Sequence, residues 1–551
     1  MFHVTPASND YDVLVVGAGP TGLTLANILG MHGVRALLVE RNAATVAEPR
    51  AVSIDDESLR TLQHIDLIDT VRSRIVEGYG SHYYSPSGRC FARVVPDIVE
   101  FGYARRSAFR QPVLEAQLRE GLARFPCVET RFSTRVTRIV GDDDALRVTL
   151  QSADGATCEA NARYVAACDG GRSGIREALG IALSGSTYDQ RWLIVDLTGS
   201  TERFRHTRVY CDPARPALAL PGPEGTRRYE FMMLPGESPD ALLDETAVRA
   251  LLARYSQEDA RLAITRKTIY HFHARVAERW RAGRILLAGD AAHLSPPFAG
   301  QGMNSGLRDA LNLGWKLAMV SRNELGAGAL DTYESERRPH AGALIDMAIR
   351  MGRVMMPRST ADALRTRVMF RALSLYPPAR DYIMQMKYKP KPRFERGLMT
   401  GNAGAALRGR MFPQPLVELP DGTRVLLDDV LGKGFAALEL DDGHAALASP
   451  DTKRAGLQLI RVIPRDHRFT DTGTVVTGNL PCVRDVTGII GKLFTGAALR
   501  GVILRPDRYV AACLSSASDA REVERAFVAM IDMTRTPAHP APSQPLDLTL
   551  A

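Results

Sequence analysis

Residues 11–41 constrain the fold of this chain more than any other stretch. A short apolar run over residues 12–16 predicts a buried parallel strand. Three glycines follow it with the spacing G-x-G-x-x-G: Gly17, Gly19 and Gly22. A helical apolar pattern and a second strand over residues 36–39 come next. This order predicts a βαβ unit that opens a Rossmann-type domain.

Each glycine of the motif has a physical role. Gly17 permits the tight turn, Gly19 lets the backbone approach a pyrophosphate, and Gly22 lets helix and strand pack closely. Glu40 ends the second strand and can accept hydrogen bonds from a ribose diol. Its charge repels a 2′-phosphate, which favours FAD or NAD over NADP. The motif alone does not separate FAD from NAD, and a glycine-rich turn without a ligand is the simpler alternative.

Length and composition limit the remaining possibilities. The 551 residues exceed what one core accommodates, and the content of 45% hydrophobic and 24% charged residues is that of an ordinary globular protein. The net charge of +8 suits an anionic ligand, but the basic residues are scattered, so nucleic acid is not an expected partner. Seven cysteines without C-x-x-C indicate no zinc site and fit a reducing cytoplasm. The sequence has no run of ~18 apolar residues, so no membrane span is predicted.

The patterns along the chain predict an α/β protein of several units. Residues 1–183 form the Rossmann-type domain with an inserted hairpin and a β-meander, and residues 184–275 form an antiparallel sheet that binds the substrate. Residues 276–395 complete the first domain and add helices. Alternating strands and helices over residues 396–535 predict a thioredoxin-like unit, and the proline-rich residues 536–551 predict a disordered tail.

A second ligand-facing turn is predicted over residues 289–306. A carboxylate at the end of a strand, a double proline and a glycine-rich helix start follow one another there. Asp290 can accept a hydrogen bond from a polyol hydroxyl, and the amides from Gly300 to Met303 can stabilise negative charge on an electron-rich ring or a phosphate.

Three separated pieces carry a family resemblance: the glycine motif with Glu40, the stretch ACDGG at 167–171, and LLAGDAAH at 286–293 with GQGMNSGLRDALNLGWKLA at 300–318. Together they resemble the FAD-dependent aromatic hydroxylases of the para-hydroxybenzoate and phenol hydroxylase type. The stretches PRAVSIDDESLRTLQ at 49–63, YEFMMLPGE at 229–237 and ILRPDRYVAA at 503–512 are most similar to the branch that acts on 3-(3-hydroxyphenyl)propionate. The resemblance covers nearly the whole chain.

The resemblance implies a role for each matching residue. The pyrophosphate and ribose of FAD would contact Gly17, Gly19, Pro20, Gly22, Glu40 and Arg41. The phosphates or ribityl chain would contact Arg50, Gln117 and Asp290, and Asp169 would stand in a motif shared by FAD and NAD(P)H binding. The isoalloxazine ring would be lined by Pro297, Gly300, Gln301, Gly302, Met303 and Asn304.

The resemblance also implies the reaction. NADH or NADPH, bound transiently, reduces FAD, O₂ adds to give a C4a-hydroperoxide, and a phenol is hydroxylated beside its hydroxyl without a metal. His293, Asp56 and Tyr229 are candidates to act on the phenolic proton, although His293 has a structural role as its simpler alternative. The expected substrate wall consists of Arg191, Trp192, Tyr229, Met232 and Pro296. Arg191, Arg227 and Arg228 are candidates to pair with a carboxylate on a substrate such as 3-(3-hydroxyphenyl)propionate or its cinnamate analogue.

Several alternatives stay open at this point. A larger or uncharged phenol, or a polyketide-like aromatic, would use the same flavin chemistry. A flavin halogenase or reductase shares the scaffold, but the three tryptophans form no W-x-W-x-I-P motif. A non-catalytic FAD-fold carrier would not need the intact turn of residues 300–306. A homodimer is compatible with the sequence.

Overall fold

A computed structural model gives the fold and describes residues 10–45, 49–141, 144–202, 204–401, 406–441, 457–467, 481–515, 520–535 and 546–550. The strands are β1 (Asp10–Val16), β2 (Ala36–Val39), β3 (Ser53–Asp55), β4 (Val76–Glu77), β5 (Gly80–Tyr84), β6 (Cys90–Val94), β7 (Arg106–Ala108), β8 (Val128–Arg131), β9 (Thr134–Gly141), β10 (Leu146–Ser152), β11 (Thr157–Ala167), β12 (Leu183–Thr198), β13 (His206–Tyr210), β14 (Ala217–Pro221), β15 (Arg227–Met232), β16 (Ala263–Ala277), β17 (Arg281–Ala282), β18 (Ile285–Leu287), β19 (His293–Leu294), β20 (Leu416–Glu418), β21 (Arg424–Leu426), β22 (Ala436–Leu440), β23 (Gln458–Ile463), β24 (Cys482–Arg484), β25 (Leu499–Leu504), β26 (Val510–Ser515) and β27 (Leu546–Thr549).

The helices follow the same chain order. They are α1 (Pro20–Met31), α2 (Asp56–His64), α3 (Ile68–Arg72), α4 (Gln111–Gly121), α5 (Gly174–Ala178), α6 (Pro239–Leu243), α7 (Glu245–Ala253), α8 (Gly302–Ser321), α9 (Asp331–Met355), α10 (Thr360–Leu375), α11 (Pro377–Met384), α12 (Leu427–Leu431), α13 (Ile489–Gly496) and α14 (Ala520–Asp532). None of the described helices is both long and apolar enough to cross a membrane.

The first sheet has the order β27-β9-β10-β11-β1-β2-β8, with β18 beside β11. Its centre is parallel: β1 pairs with β2 and β11, and β11 pairs with β18. β2, β18 and the end of β11 that pairs with β18 are buried, as expected for a parallel sheet covered on its faces, and α1 packs against α8. The carboxyl ends of the parallel strands therefore meet at one edge, where ligands bind in open α/β sheets.

The second sheet has the order β19-β16-β12-β15-β14-β13-β5-β6. One face packs on an apolar core that includes α6 and α7, and the other faces the first domain. The hairpin of β5 and β6, which the sequence assigned to the first domain, is an edge of this second sheet, because β5 pairs in parallel with β13 in the register Ser81↔Thr207. Periodicity within the hairpin cannot show so distant a partner, so the unit predicted over residues 184–275 lacked these two strands.

The third sheet belongs to the C-terminal unit and has the order β21-β20-β24-β23-β22-β25-β26. The strands β22, β23 and β24 run parallel, whereas β25 is antiparallel to both of its neighbours, β22 and β26. The unit has its own apolar core, and its mixed sheet is compatible with the predicted thioredoxin-like order.

The predicted disordered tail is wrong for its described end. Residues 536–545 and 551 lie outside the described residues, but β27 pairs antiparallel with β9 and extends the first sheet. Leu548 is buried in the first core, and Asp547 pairs with Arg138. A polar, proline-rich composition predicts disorder for an isolated segment, but an unpaired sheet edge can order such a segment as an added strand.

Buried ion pairs join the C-terminal unit to the long helices of the first domain. Glu336 on α9 contacts Lys316 on α8 at 2.7 Å and Arg505 after β25 at 2.7 Å, while Arg505 also pairs with Asp507 at 2.6 Å. All four side chains are almost fully buried. Such charges are tolerated only when each keeps its partner, so the docking of the C-terminal unit depends on this cluster.

We therefore expect Glu336→Leu to destabilise the protein by about 3–5 kcal/mol, because Lys316 is left buried without a carboxylate. Arg138→Ala is the control, since it breaks an ion pair that is about half exposed. Chemical denaturation of the two variants and the wild type measures the difference. Equal stability of the two variants would show that the cluster does not hold the units together.

Candidate functional site

The first glycine turn brings two backbone segments into contact. Gly17 has a φ of +103°, and a β-carbon there would lie 2.4 Å from the Cys168 carbonyl oxygen. A β-carbon on Gly22 would lie 1.9 Å from the Gly17 carbonyl oxygen. Gly19 has no atom within 4 Å of its β-carbon position and borders a cavity. Protein packing thus requires the outer glycines, whereas Gly19 leaves room for a ligand.

Glu40 follows β2 and closes this turn. Its Oε2 accepts a hydrogen bond from the Ala18 backbone N–H at 2.8 Å, and its Oε1 accepts one from the Asn42 backbone N–H at 2.9 Å. The carboxylate therefore lies beside the glycine turn, where an adenosine ribose is expected. Arg41 is exposed and is not part of the cavity wall.

The cavity has a volume of about 300 Å³ and lies between the first domain and the second sheet. Separated segments of the first domain form one wall, which includes Gly19, Pro20, Arg50, Gly170, Asp290, Pro297, Gly300, Gln301, Gly302 and Met303. The second sheet and the adjacent β7 form the opposite wall with Ser81, Tyr83, Arg106, Thr207, Leu218, Leu220 and Glu230. The two predicted ligand-facing turns thus meet at one cavity.

The second turn places polar groups at the cavity edge. Gly300 adopts a left-handed φ of +62°, and α8 begins two residues later, so the first N–H groups of a 20-residue helix lie at this wall. Asp290 also lines the cavity, and burial by the surrounding protein raises the pKa of its carboxyl. These donors and this acceptor suit an electron-rich ring and a polyol chain.

Asp169 and Asn304 lie next to the cavity rather than in its wall. Asp169 Oδ2 accepts a hydrogen bond from the Ile175 backbone N–H at 3.3 Å, and burial raises the pKa of this carboxyl. Asn304 Nδ2 donates to the backbone carbonyls of Gly300 at 2.6 Å and Ser53 at 3.1 Å. Direct ring contact was expected of Asn304, but its amide is used to hold two cavity loops together.

Gln117 was predicted to contact the cofactor, and the structure contradicts this. Its Nε2 donates to the Thr70 carbonyl at 2.9 Å, away from the cavity. Gln111, which opens α4, lines the cavity instead, and its Oε1 accepts hydrogen bonds from the backbone N–H groups of Arg50 at 3.0 Å and Ala51 at 2.7 Å. No local pattern in the sequence distinguishes Gln111 from Gln117 as the cavity residue.

His293 is not a cavity residue, so its predicted action on the phenolic proton is wrong. Its Nε2 lies 2.6 Å from Asp309 Oδ2, and its ring stacks on Trp280 at a centroid distance of 5.3 Å. Arg337 donates to the other oxygen of Asp309 at 2.8 Å. His293 is only 1% exposed, and its contacts tie β19 to α8.

Asp56 belongs to a buried charge cluster outside the cavity wall, so its predicted catalytic role is also wrong. Glu57 contacts Arg308 at 2.7 Å and Lys389 at 2.7 Å, and Asp55 pairs with both cations. Asp56 Oδ1 lies 3.7 Å from Lys389 Nζ. Burial, together with the neighbouring carboxylates, raises the pKa of Asp56 to about 7.

Tyr229 faces away from the cavity, which corrects both of its predicted roles. Its hydroxyl donates to Asp259 Oδ2 at 2.6 Å, and its ring stacks with Phe231 in the core beneath α6 and α7. Successive side chains of a strand alternate between the two faces, so Glu230 points into the cavity. The same alternation shows that Tyr229 and Met232 could not share a face.

The other predicted substrate contacts also lie outside the cavity wall. Trp192 and Met232 belong to the apolar layer next to the wall, where the Trp192 ring contacts Phe298 at a centroid distance of 6.0 Å. Arg191 and Pro296 do not line the cavity. Trp192 and Met232 therefore support the wall from the side of the second sheet.

Two of the three arginines predicted to bind a carboxylate, Arg227 and Arg228, are already paired. Arg228 contacts Asp196 at 2.7 Å, and Arg227 contacts Glu202 at 2.7 Å. Arg228 also donates to the Arg50 carbonyl at 2.8 Å and so holds the loop that carries Arg50. The arginines that line the cavity are Arg50 in the flavin wall and Arg106 beside the second sheet, and no local pattern in the sequence distinguishes Arg106.

Arg106 forms a polar corner of the cavity with two hydroxyl groups. Its Nη1 donates to Ser81 Oγ at 2.6 Å, and its guanidinium lies over the Tyr79 ring, 4.4 Å from the centroid. Arg106 Nε and Thr207 Oγ1 are buried without a hydrogen-bond partner. Among the described residues, no carboxylate forms an ion pair with Arg106.

A family model described as "FAD binding domain" matches residues 10–348 of this chain. A second model, described as "HcaD C-terminal domain", matches residues 409–530. The chain is thus a flavoprotein of the FAD-binding-domain class with an additional C-terminal unit.

Named relatives cover almost the whole chain. A 3-(3-hydroxy-phenyl)propionate/3-hydroxycinnamic acid hydroxylase of Burkholderia cenocepacia (strain HI2424) is 41% identical over 520 residues, which are 93% of this chain and 95% of the relative. A protein of the same name from Mycobacterium sp. (strain JLS) is 38% identical over 548 residues, covering 97% and 94%. The chain therefore belongs to the family of FAD-dependent aromatic hydroxylases.

Solved structures agree with this fold. The flavin-dependent monooxygenase PieE, in complex with FAD and substrate, has a TM-score of 0.78 at 22% identity and covers 96% of this chain and 100% of its own. Aklavinone-11 hydroxylase, with FAD and aklavinone, has a TM-score of 0.77 at 24% identity, with 95% and 99% covered. The predicted α/β flavoprotein fold is confirmed.

The residues at the cavity fit FAD. Gly19 leaves open space where a pyrophosphate would approach, and Asp290 and the start of α8 border the same cavity. FAD is the cofactor, and NAD(P)H is its reductant. When bound, FAD supplies the chemistry that activates oxygen.

Gly19→Val is expected to fold but to lose FAD. The Gly19 backbone has φ −76° and ψ 179°, which suits valine, but the new side chain fills the space of the pyrophosphate. Flavin absorbance per chain measures the loss. Gly434→Val is the control, because that exposed glycine also has no atom within 4 Å of its β-carbon position. A Gly19→Val protein with a full complement of FAD would contradict the assignment.

Gln111→Leu is expected to weaken FAD binding roughly tenfold, about 1.4 kcal/mol, because two backbone N–H groups of the Arg50 loop lose their acceptor. Gln117→Leu on the same helix is the matched control, and its affinity should stay close to that of the wild type. Titration of the apoprotein with FAD compares the two. The reverse order of affinities would restore Gln117 as the cofactor contact.

Proposed function

We propose that the enzyme hydroxylates a single-ring phenol with a short acidic side chain, beside the existing hydroxyl, to give a catechol. Two relatives carry the name of hydroxylases of 3-(3-hydroxyphenyl)propionate and 3-hydroxycinnamic acid. The observation that carries the proposal is the corner of Arg106, Ser81 and Thr207 in the cavity wall.

This corner suits a carboxylate. Thr207 and Ser81 are direct neighbours across β13 and β5, and Arg106 reaches Ser81 from β7. A guanidinium and two hydroxyls can together donate several hydrogen bonds to one carboxylate. The Arg106 guanidinium, which has no ion pair among the described residues, would then gain a carboxylate partner from the substrate.

The rest of the wall suits an aromatic ring. Leu218 and Leu220 of β14 and Phe298, Met351 and Met355 give the cavity apolar surfaces. These side chains exclude water from a bound ring and from the reactive part of the flavin, which limits unproductive reactions. The Arg106 corner then sets which end of the substrate points away from the flavin.

We also propose the cytoplasm as the compartment of the enzyme. All seven cysteines are free thiols, as is usual in a reducing compartment, and NAD(P)H is available there.

Size-exclusion chromatography with light scattering would test whether the enzyme is a homodimer.

Arg106→Met should raise KM for 3-(3-hydroxyphenyl)propionate by roughly 10–100-fold, which corresponds to about 1.5–3 kcal/mol, because charge-assisted hydrogen bonds are lost. KM for 3-ethylphenol, which lacks the carboxylate, should change little. NADH oxidation, O₂ uptake and catechol formation are measured together, so that uncoupled flavin oxidation is recognised.

Arg93→Met is the control for the loss of a positive charge, because Arg93 is exposed on β6 outside the flavin cavity. If the wild type gave coupled product with neutral phenols and none with the phenylpropanoid acids, the acidic substrate would be wrong. The assignment as an FAD-dependent aromatic hydroxylase would stand in that case.

A further inference from the structure

We infer that Glu230 is the residue that accepts the proton of the substrate's phenolic hydroxyl. The inference rests on the proposed function, because it requires a phenol in the cavity. It adds a catalytic residue in the second sheet, on the wall opposite the flavin turns.

The position of Glu230 follows from the geometry of the second sheet. The strand β15 lies between β12 and β14, and Glu230 is directly opposite Ile194 on one side and Leu218 on the other. Its side chain faces the cavity, whereas the flanking Tyr229 and Phe231 face the core. The carboxylate thus stands beside apolar Ile194 and Leu218, with the Arg228–Asp196 pair further along the same face.

The Glu230 carboxylate has no partner among the residues that the structure describes. The residue is only 7% exposed, yet none of the described residues hydrogen-bonds to it or forms an ion pair with it. The nearby Asp196, by contrast, is bonded to Arg228 at 2.7 Å. A buried carboxylate without a donor is costly, and a ligand hydroxyl that donates to it removes that cost.

The charge state of Glu230 suits a base. Burial raises the pKa of Glu230 to about 6, with Arg228 acting to lower it and Asp196 to raise it. The other charged or titratable groups that line the same cavity are Arg50, Tyr83, Arg106, Cys168 and Asp290. Glu230 is therefore ionised at neutral pH and becomes protonated as the pH falls through about 6.

Glu230 and the Arg106 corner are separated by a distance that one substrate can span. Thr207 lies on β13, two strands from β15, which corresponds to roughly 10 Å in the sheet. A ring with a hydroxyl on one side and a three-carbon acid on the other can contact both ends. The carboxylate would bind at Arg106 while the hydroxyl reaches Glu230.

The proton transfer is a simple exchange. The phenolic O–H bond breaks, a new O–H bond forms on a carboxylate oxygen of Glu230, and the electron pair of the broken bond stays on the phenolic oxygen. The ring becomes more electron-rich, as electrophilic hydroxylation requires. Water exchange after product release returns the proton to solvent and restores the carboxylate.

Equilibrium binding tests the hydrogen bond without turnover. Oxidised holoenzyme is titrated with 3-(3-hydroxyphenyl)propionate and with its methyl ether, and the flavin spectrum reports binding. The wild type should bind the phenol at least about tenfold more tightly than the ether, and Glu230→Leu should lose this preference. Glu224→Leu is the control, since Glu224 is exposed in the turn between β14 and β15 and does not line this cavity.

The pH profile tests the proton transfer. Coupled product formation by the wild type should fall as the pH drops through about 6, because the Glu230 carboxylate is then lost. Glu230→Gln, which keeps the size of the side chain, should reduce coupled turnover at least about tenfold at neutral pH. The activity of Glu230→Gln should recover as the pH rises towards the pKa of the phenol itself. With a ring-fluorinated phenol, which is more acidic, this recovery should occur at a lower pH.

Equal binding of phenol and ether by the wild type, or an unchanged pH profile in Glu230→Gln, would overturn the inference. Failure of the wild type to bind either acid would instead contradict the proposed acidic substrate. In that case 3-ethylphenol and its methyl ether replace the acids in the same titrations, and the loss or persistence of the preference in Glu230→Leu decides the role of Glu230.

Discussion

The parallel pairing of β1 with β2 and β11, and of β11 with β18, is the constraint on which the site depends. Parallel strands end at a common edge, so the turns that follow β1, β11 and β18 must meet there although they are far apart in the chain. The close approach of Gly17 to the Cys168 carbonyl shows how little room this arrangement leaves. Only glycine at this position lets the two turns border a single cavity.

Buried charges then hold the helix whose first amides face the cavity. Along α8, Arg308 pairs with acidic residues of β3 and α2, Asp309 with His293 and Arg337, and Lys316 with Glu336. Such pairs are weak evidence for net stability, but their partners come from distant elements and so determine where the helix lies. This explains why the acidic residues and the histidine that suggested catalysis have structural roles instead.

In the proposed function, the second sheet contributes the groups that distinguish one substrate from another. Its cavity face combines leucines of β14 with a buried carboxylate on β15, and β5, β13 and β7 supply the hydroxyls and guanidinium of the Arg106 corner. Its other face is an apolar core that includes Tyr229 and Phe231. Under the proposed function, substrate specificity depends on this wall, opposite the flavin turns.

The sequence by itself determined the βαβ unit, the cofactor class and the two turns, because these depend on local spacing: Gly17 to Glu40 and residues 289–306 lie where the motifs predict. The alternation of side chains along a strand also implies that Tyr229 and Glu230 lie on opposite faces, although Tyr229 was the residue predicted to act on the substrate. Only the tertiary structure decided that Gln111 rather than Gln117 faces the cavity, that Arg106 rather than Arg227 or Arg228 lines it, and that β5 and β27 extend sheets formed by distant segments. Those outcomes depend on long-range pairing and on competition for partners, which no local pattern encodes.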